Sequence, residues 1–186
     1  MNIYKILNPN RKYKTIQYNK TPILKNIGKI IWNNTKEVSD YQYTWNENDD
    51  NKNVCDCPFI IGSIPVFSEL AYNKISMFLD NTNSQVIPIT VNEKKYFIVN
   101  ATILIDDILN EKKSKISYFS DGRIMDVEKY VLSNKKYTPN IFKLSQFHTY
   151  TFVSEKIADA INAGFTGIEF EKCNSNNILS FFNNHM

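Results

Sequence analysis

The chain is expected to adopt an α+β fold on a predominantly antiparallel sheet, with two short capped helices and a small N-terminal β-rich subdomain. Three observations carry this expectation. Short apolar stretches alternate at a period of two between turn residues, which is the signature of half-buried strands. Helical spacing takes over after Ser68-Glu69 and again after Ser154-Glu155. Strand patterns also flank Asn92-Glu93-Lys94 and Ser120-Asp121-Gly122, links short enough to fold the strands back on each other as hairpins.

In chain order, residues 2–7 alternate and are expected to form an edge strand before the turn at Asn8-Pro9-Asn10. Tyr13 to Tyr18 alternates again, and Thr21-Pro22 can open a helix or a strand. Ile23, Ile27, Ile30 and Ile31 fit a helix, whereas Gly28 and the β-branched pair Ile30-Ile31 weaken it, so both assignments stay open. Tyr41-Gln-Tyr-Thr-Trp45 has strand spacing with Tyr41, Tyr43 and Trp45 on one side. The polar, aperiodic run of residues 46–53 marks a loop, and the expected boundary between residues 1–53 and an α+β domain of residues 54–186 falls there.

Beyond it, a short apolar segment bent by Pro58 and Pro65 leads to a first helix over about residues 69–79, with Ala71, Ile75, Phe78 and Leu79 on one face. Residues 85–91 and 95–105 predict the first hairpin, and Pro88, which has no N–H to give, predicts an edge or a bulge. Asp106 to Lys112 supports a helical turn at most. Residues 115–119 and 123–127 predict the second hairpin, across an Asp-Gly turn, and residues 140–144 one more strand.

The last unit is the most complete. Ser154 is placed to cap a helix and Glu155 to meet its positive end. Ile157, Ala160, Ile161 and Gly164 make a narrow apolar face. Gly164 is expected to supply a left-handed C-cap with Phe165 closing back on the last turn, and Gly167-Ile-Glu-Phe170 a strand. Val66-Phe-Ser-Glu69 and Phe152-Val-Ser-Glu155 form a phrase that occurs twice, which fits either a short internal repeat or a common way to start a helix. Ile178, Leu179, Phe181 and Phe182 predict a short terminal helix.

Composition narrows function. With 186 residues and 42% hydrophobic content the chain can bury a core without staples. Its 22 basic residues are dispersed among 19 acidic ones, which argues against a dedicated nucleic-acid binder. Neither a signal core nor eighteen consecutive apolar residues occurs, so a cytoplasmic location without a membrane partner is expected.

Three cysteines, an odd count, argue against a disulfide framework. Cys55-Asp56-Cys57 is their only cluster, and its spacing to Cys173, His148 and His185 matches no zinc template. Neither a cofactor nor a metal is expected. The enzyme candidates are thin: a thiol of Cys55 or Cys57 paired with His148, or the carboxylates of Asp106-Asp107, which as neighbours at a helix start more often serve as caps. No nucleophile elbow or phosphate loop occurs, and no catalytic residue is assigned.

Asp56, Pro58, Pro65-Val-Phe-Ser-Glu69, Pro88, Tyr96-Phe-Ile-Val-Asn100, Asp106, Ser114, Ile141-Phe142 and the run from Phe152 to Phe170 follow one another in an informative order. In that order and spacing, over roughly residues 55–171, the chain resembles the bacterial polymorphic-toxin immunity proteins called immunity protein family eleven. The resemblance implies a protein that binds and neutralises a cognate toxin, the C-terminal domain of a larger secreted protein, by stoichiometric occlusion. A cytoplasmic inhibitor in turn implies a toxin with a cytoplasmic target. The alternatives are a regulatory module with a small-molecule or nucleotide pocket, and an enzyme that reverses the toxin's modification.

For a toxin-binding surface, the segment of Tyr43 and Trp45 followed by Glu47, Asp49, Asp50 and Asp56 is the candidate. Aromatic anchors bury large area with few rotors, and acidic groups steer a basic partner. The plainer alternative is that Tyr43 and Trp45 are core residues and the acidic loop is only solvated.

Overall fold

A computed structural model describes residues 2–9, 12–19, 41–60, 64–133, 138–146 and 149–173. The expected elements at residues 21–32 and 178–182, and both histidines, lie outside them. The fold is mixed α+β and mostly strand, as the patterning predicts. Six strands close a small barrel in the order β2 (Ile16–Asn19), β3 (Gln42–Trp45), β6 (Ser84–Val91), β7 (Lys94–Ala101), β5 (Ile64–Ser68) and β4 (Phe59–Ile60), with β4 returning to β2. Beside it lies a five-stranded sheet in the order β13 (Glu169–Lys172), β1 (Ile3–Leu7), β12 (Phe152–Ser154), β11 (Ile141–Leu144) and β8 (Leu104–Ile105). A separate two-stranded hairpin pairs β9 (Lys115–Tyr118) with β10 (Ile124–Lys129). Pairing is antiparallel except at β2–β4, β3–β6 and β8–β11.

Period-two alternation sorts side chains to two faces in both larger units. In the barrel, Val66, Ile98, Ile87, Ile89 and Val91 point inward around Tyr43 and Tyr96. The alternate residues Phe67, Val99 and Ala101 point outward into a second core shared with Ile6, Ile141 and Val153 of the sheet. Phe142, Phe152 and Ile3 line the opposite sheet face, under the segment that carries Ile108, Tyr130 and Leu132. Burial on both faces explains why Tyr96 to Val99 and Phe152-Val153 are continuous apolar runs. A polar contact also joins the two units: Lys143 Nζ of β11 donates to Asn100 Oδ1 of β7 at 3.1 Å.

Two expectations change here. β1 is an interior strand, paired with both β12 and β13. The boundary at residue 53 is also crossed by sheet pairing, because β1 joins the sheet of β11–β13 while β2 and β3 join the barrel of β4–β7. Residues before 53 therefore complete two units begun elsewhere and form no separate sheet among the described residues. Pro88 sits at an exposed position on β6, which meets β3 only at Val91, so no ladder bond is forfeited. The first hairpin turns through Asn92 and Glu93 at φ 46° and 67°, the pair of positive angles that a tight primed turn requires.

Helices α1 (Glu69–Ile75) and α2 (Glu155–Asn162) pack on each other and on the shared core through Ala71 and Ile75, and through Ile157, Ala158 and Ile161. A 3-10 turn over Ser76–Phe78 extends α1. Ser68 Oγ accepts from Ala71 N–H at 3.3 Å, the expected cap. Ser154 occupies the same position without that bond: its hydroxyl is buried and has no hydrogen-bond partner among the described residues. Its neighbour Glu155 instead accepts from the Asn2 amide. Phe165 N–H closes back to Ile161 O at 3.1 Å, as expected, while Gly164 adopts φ +153° rather than a left-handed helical angle. Asp106-Asp107 begins no helix, and Asp107 sits at φ 55°.

Candidate functional site

The predicted binding segment is largely consumed by the fold. Tyr43 is buried in the barrel, with the rings of Tyr18 and Tyr41 6.4 and 6.5 Å away. Burial pushes its phenol far above the usual range. Trp45 is half-buried, edge-on to Tyr96 at 5.8 Å. Tyr41, Tyr43 and Trp45 do share one side of a strand, but that side faces inward.

The acidic residues are mostly clips. Asp49 is buried: its Oδ2 accepts from Thr15 N–H at 2.9 Å and Thr15 Oγ1 at 2.7 Å, and its Oδ1 pairs with Lys52 Nζ at 2.6 Å. Burial pushes this carboxyl up, but the hydrogen bonds from Lys52 and Thr15 outweigh it and hold the group below the usual carboxylate range. Asp56 Oδ2 accepts from Thr166 N–H at 3.1 Å and Thr166 Oγ1 at 2.9 Å, and Cys57 N–H donates to Thr166 O at 2.8 Å. Cys55-Asp56-Cys57 thus ties the barrel to the turn after α2. Asp50 is exposed and reaches Lys14 at 3.6 Å, and Glu47 is exposed.

The same tie explains Gly167. Its φ is +98°, and a Cβ there would meet Cys55 Sγ and stand 2.8 Å from the Cys57 carbonyl oxygen. The strand therefore starts at Glu169, two residues later than the alternation suggests. Cys55, Cys57 and Cys173 are buried free thiols. Burial pushes Cys55 and Cys173 up to about 12, and Cys57 higher still, so none is a ready nucleophile at neutral pH. Among the described residues no three His, Cys, Asp or Glu gather as a metal would require.

Among the described residues, two surfaces set large exposed side chains beside a hollow. A cleft of about 400 Å³ opens at the start of α1, lined among others by Val54, Asp56, Glu69, Leu70, Lys95 and Tyr96. Leu70 is 71% exposed on its rim, and Lys95 and Glu69 pair across it at 3.2 Å. Burial raises the Tyr96 phenol to about 12, so the cleft offers hydrogen bonds and apolar contact but no base near neutrality from that group.

The second surface is the tip of the β9–β10 hairpin. Tyr118, Phe119 and Met125 are 48%, 47% and 49% exposed, and the Arg123 guanidinium lies 5.5 Å from the Phe119 ring centre. Phe119 N–H donates to Arg123 O at 2.8 Å and Gly122 N–H to Phe119 O at 3.0 Å, with Gly122 at φ +86°. The tip is thus a three-residue loop held by a glycine. Sequence reasoning found this hairpin but not its surface. The signal was there: Tyr118 and Phe119 are adjacent in extended chain, so both cannot face one core.

No model of a known protein family matches the chain, and no curated protein is significantly similar to it. Among the described residues no helix is long and apolar enough to cross a membrane.

Proposed function

We propose that the protein is a stoichiometric inhibitor, an immunity protein that binds a cognate secreted bacterial toxin in the cytoplasm and occludes a surface the toxin needs. The observation that carries this reading is the hairpin tip, where two aromatics, a methionine and an arginine stand in solvent. Exposed aromatics and arginine are the composition of binding hot spots. The order of motifs over residues 55–171 supports the same reading.

An inhibitor of a lethal partner needs nanomolar affinity, about −12 kcal/mol. Interfaces of that strength bury about 1,600 Å² in total, so the contact extends from the tip over its flanks. Co-expression with the C-terminal domain of the large secreted protein that this reading expects to be encoded beside the chain tests it. Restored growth and a one-to-one complex are expected. Restored growth without a complex would replace inhibition by an enzyme that undoes the toxin's product.

A second reading rests on the cleft beside α1, whose volume suits a small ligand. Thermal stabilisation by a nucleotide or metabolite, with no protein partner, would favour a regulatory module.

A further inference from the structure

The β9–β10 hairpin stands apart from both larger sheets, so each of its strands has an outer edge that no described strand covers. The two edges differ. Register shifts fall between Ile124 and Asp126 and between Val127 and Lys129, so both extra residues lie on β10. Such bulges twist an edge and spoil it for pairing. β9 runs without interruption. Phe119 exchanges its hydrogen bonds inward across the turn, so by alternation Tyr118 and Ile116 direct their N–H and C=O groups outward. No described residue bonds to those groups.

We infer that the outer edge of β9 receives an extended strand of the toxin, which adds to the hairpin as its third strand. This inference rests on the inhibitor reading and names how the same surface is used. Main-chain pairing would hold the strand, and alternate side chains would select it. The turn that leads into β9 carries Lys112 and Lys113, both exposed, beside Glu111, while Lys115 is already paired with Glu128 at 2.5 Å. The incoming strand is therefore acidic at the end that meets Lys112 and Lys113. A hollow of about 420 Å³ between the tip residues Tyr118, Phe119 and Arg123 and the body residues Glu111 and Gln146 takes an apolar anchor from the same segment.

The test is residue-resolved amide exchange of the isotopically labelled protein, free and with an inactivated form of the neighbouring C-terminal toxin domain. On complex formation the Ile116 and Tyr118 amides are expected to slow at least about tenfold, while Ile124 and Val127 on the bulged edge do not. A complex in which Ile116 and Tyr118 exchange as in the free protein overturns strand addition and leaves the inhibitor reading standing. Protection of the same amides by raising the concentration of this protein alone overturns it in favour of self-pairing. Failure to form any complex removes both. Tyr118→Pro deletes one outward N–H at a position where proline costs no hairpin bond, and Tyr118→Ala deletes only the side chain. Tyr118→Pro is expected to weaken binding roughly tenfold more than Tyr118→Ala, one hydrogen bond's worth. Equal losses would contradict the inference.

Discussion

The barrel and the β9–β10 hairpin are built from the same antiparallel unit and end differently. In the barrel six short strands close on themselves, and both faces of strands such as β7 are buried. In the hairpin only Val127 is buried and the tip aromatics stay in water. Closure leaves the barrel little edge beyond the stretch of β6 before Val91, whereas two strands cannot cover both their edges and their faces. Substitutions in the closed regions should therefore appear in stability, and substitutions on the hairpin in binding.

The largest effect is expected at Phe152, which is fully buried with the rings of Phe142 and Tyr130 at 5.6 and 5.2 Å. Phe152→Ala should cost about 3–5 kcal/mol in denaturant unfolding. A cost under about 1 kcal/mol would mean that this side of the sheet is no better packed than the hairpin. Gly167→Ala comes next, at about 2 kcal/mol or more, from a positive φ and the collision with Cys55. Thermal unfolding measures it, and an unchanged Tm would dissolve the tie between barrel and helix turn.

Phe119→Ala sharpens the contrast from the other side. Its Tm should stay near that of the parent protein, while toxin affinity falls by about 2 kcal/mol, some thirtyfold, in calorimetric titration. If stability fell and affinity did not, the tip would be structural.

Lys143 supplies a pH signature for the closed region. Burial depresses its amine to about 8, below the unfolded value of about 10.4. Between those values the unfolded chain holds more protons, so stability should rise with pH across that window. Lys143→Met should flatten the rise in unfolding midpoints measured from pH 7 to 10. The smallest effects compare the two caps. Ser68→Ala should cost about 1 kcal/mol, because a hydrogen bond is lost, and Ser154→Ala close to nothing, because none is made. Equal costs would restore the sequence's view that the two starts are alike.

That last pair shows why some expectations failed. Both Ser-Glu phrases end a strand and begin a helix, as the local pattern required. Which serine hydroxyl finds a donor depends on neighbours far away in the chain, among them Asn2, which engages Glu155. The proposed binding segment turned largely inward for a related reason. Tyr43, Trp45, Asp49 and Asp56 have the residue types of an interface, but types alone do not say which side of a strand faces a core. Thr15 and Thr166 decided the roles of the two aspartates, across 34 and 110 residues of chain.

The sequence by itself determined the α+β class, both hairpins, and the order helix, turn and strand after Ser154, though not where that strand begins. These follow from side-chain period, turn chemistry and backbone freedom, which act over a few residues. The tertiary structure alone decided that β1 is interior, that β2 and β3 complete the barrel, and that exposed aromatics gather at the second hairpin. Strand pairing and burial depend on which distant segments meet, and a local pattern of alternation is the same whichever partner it finds.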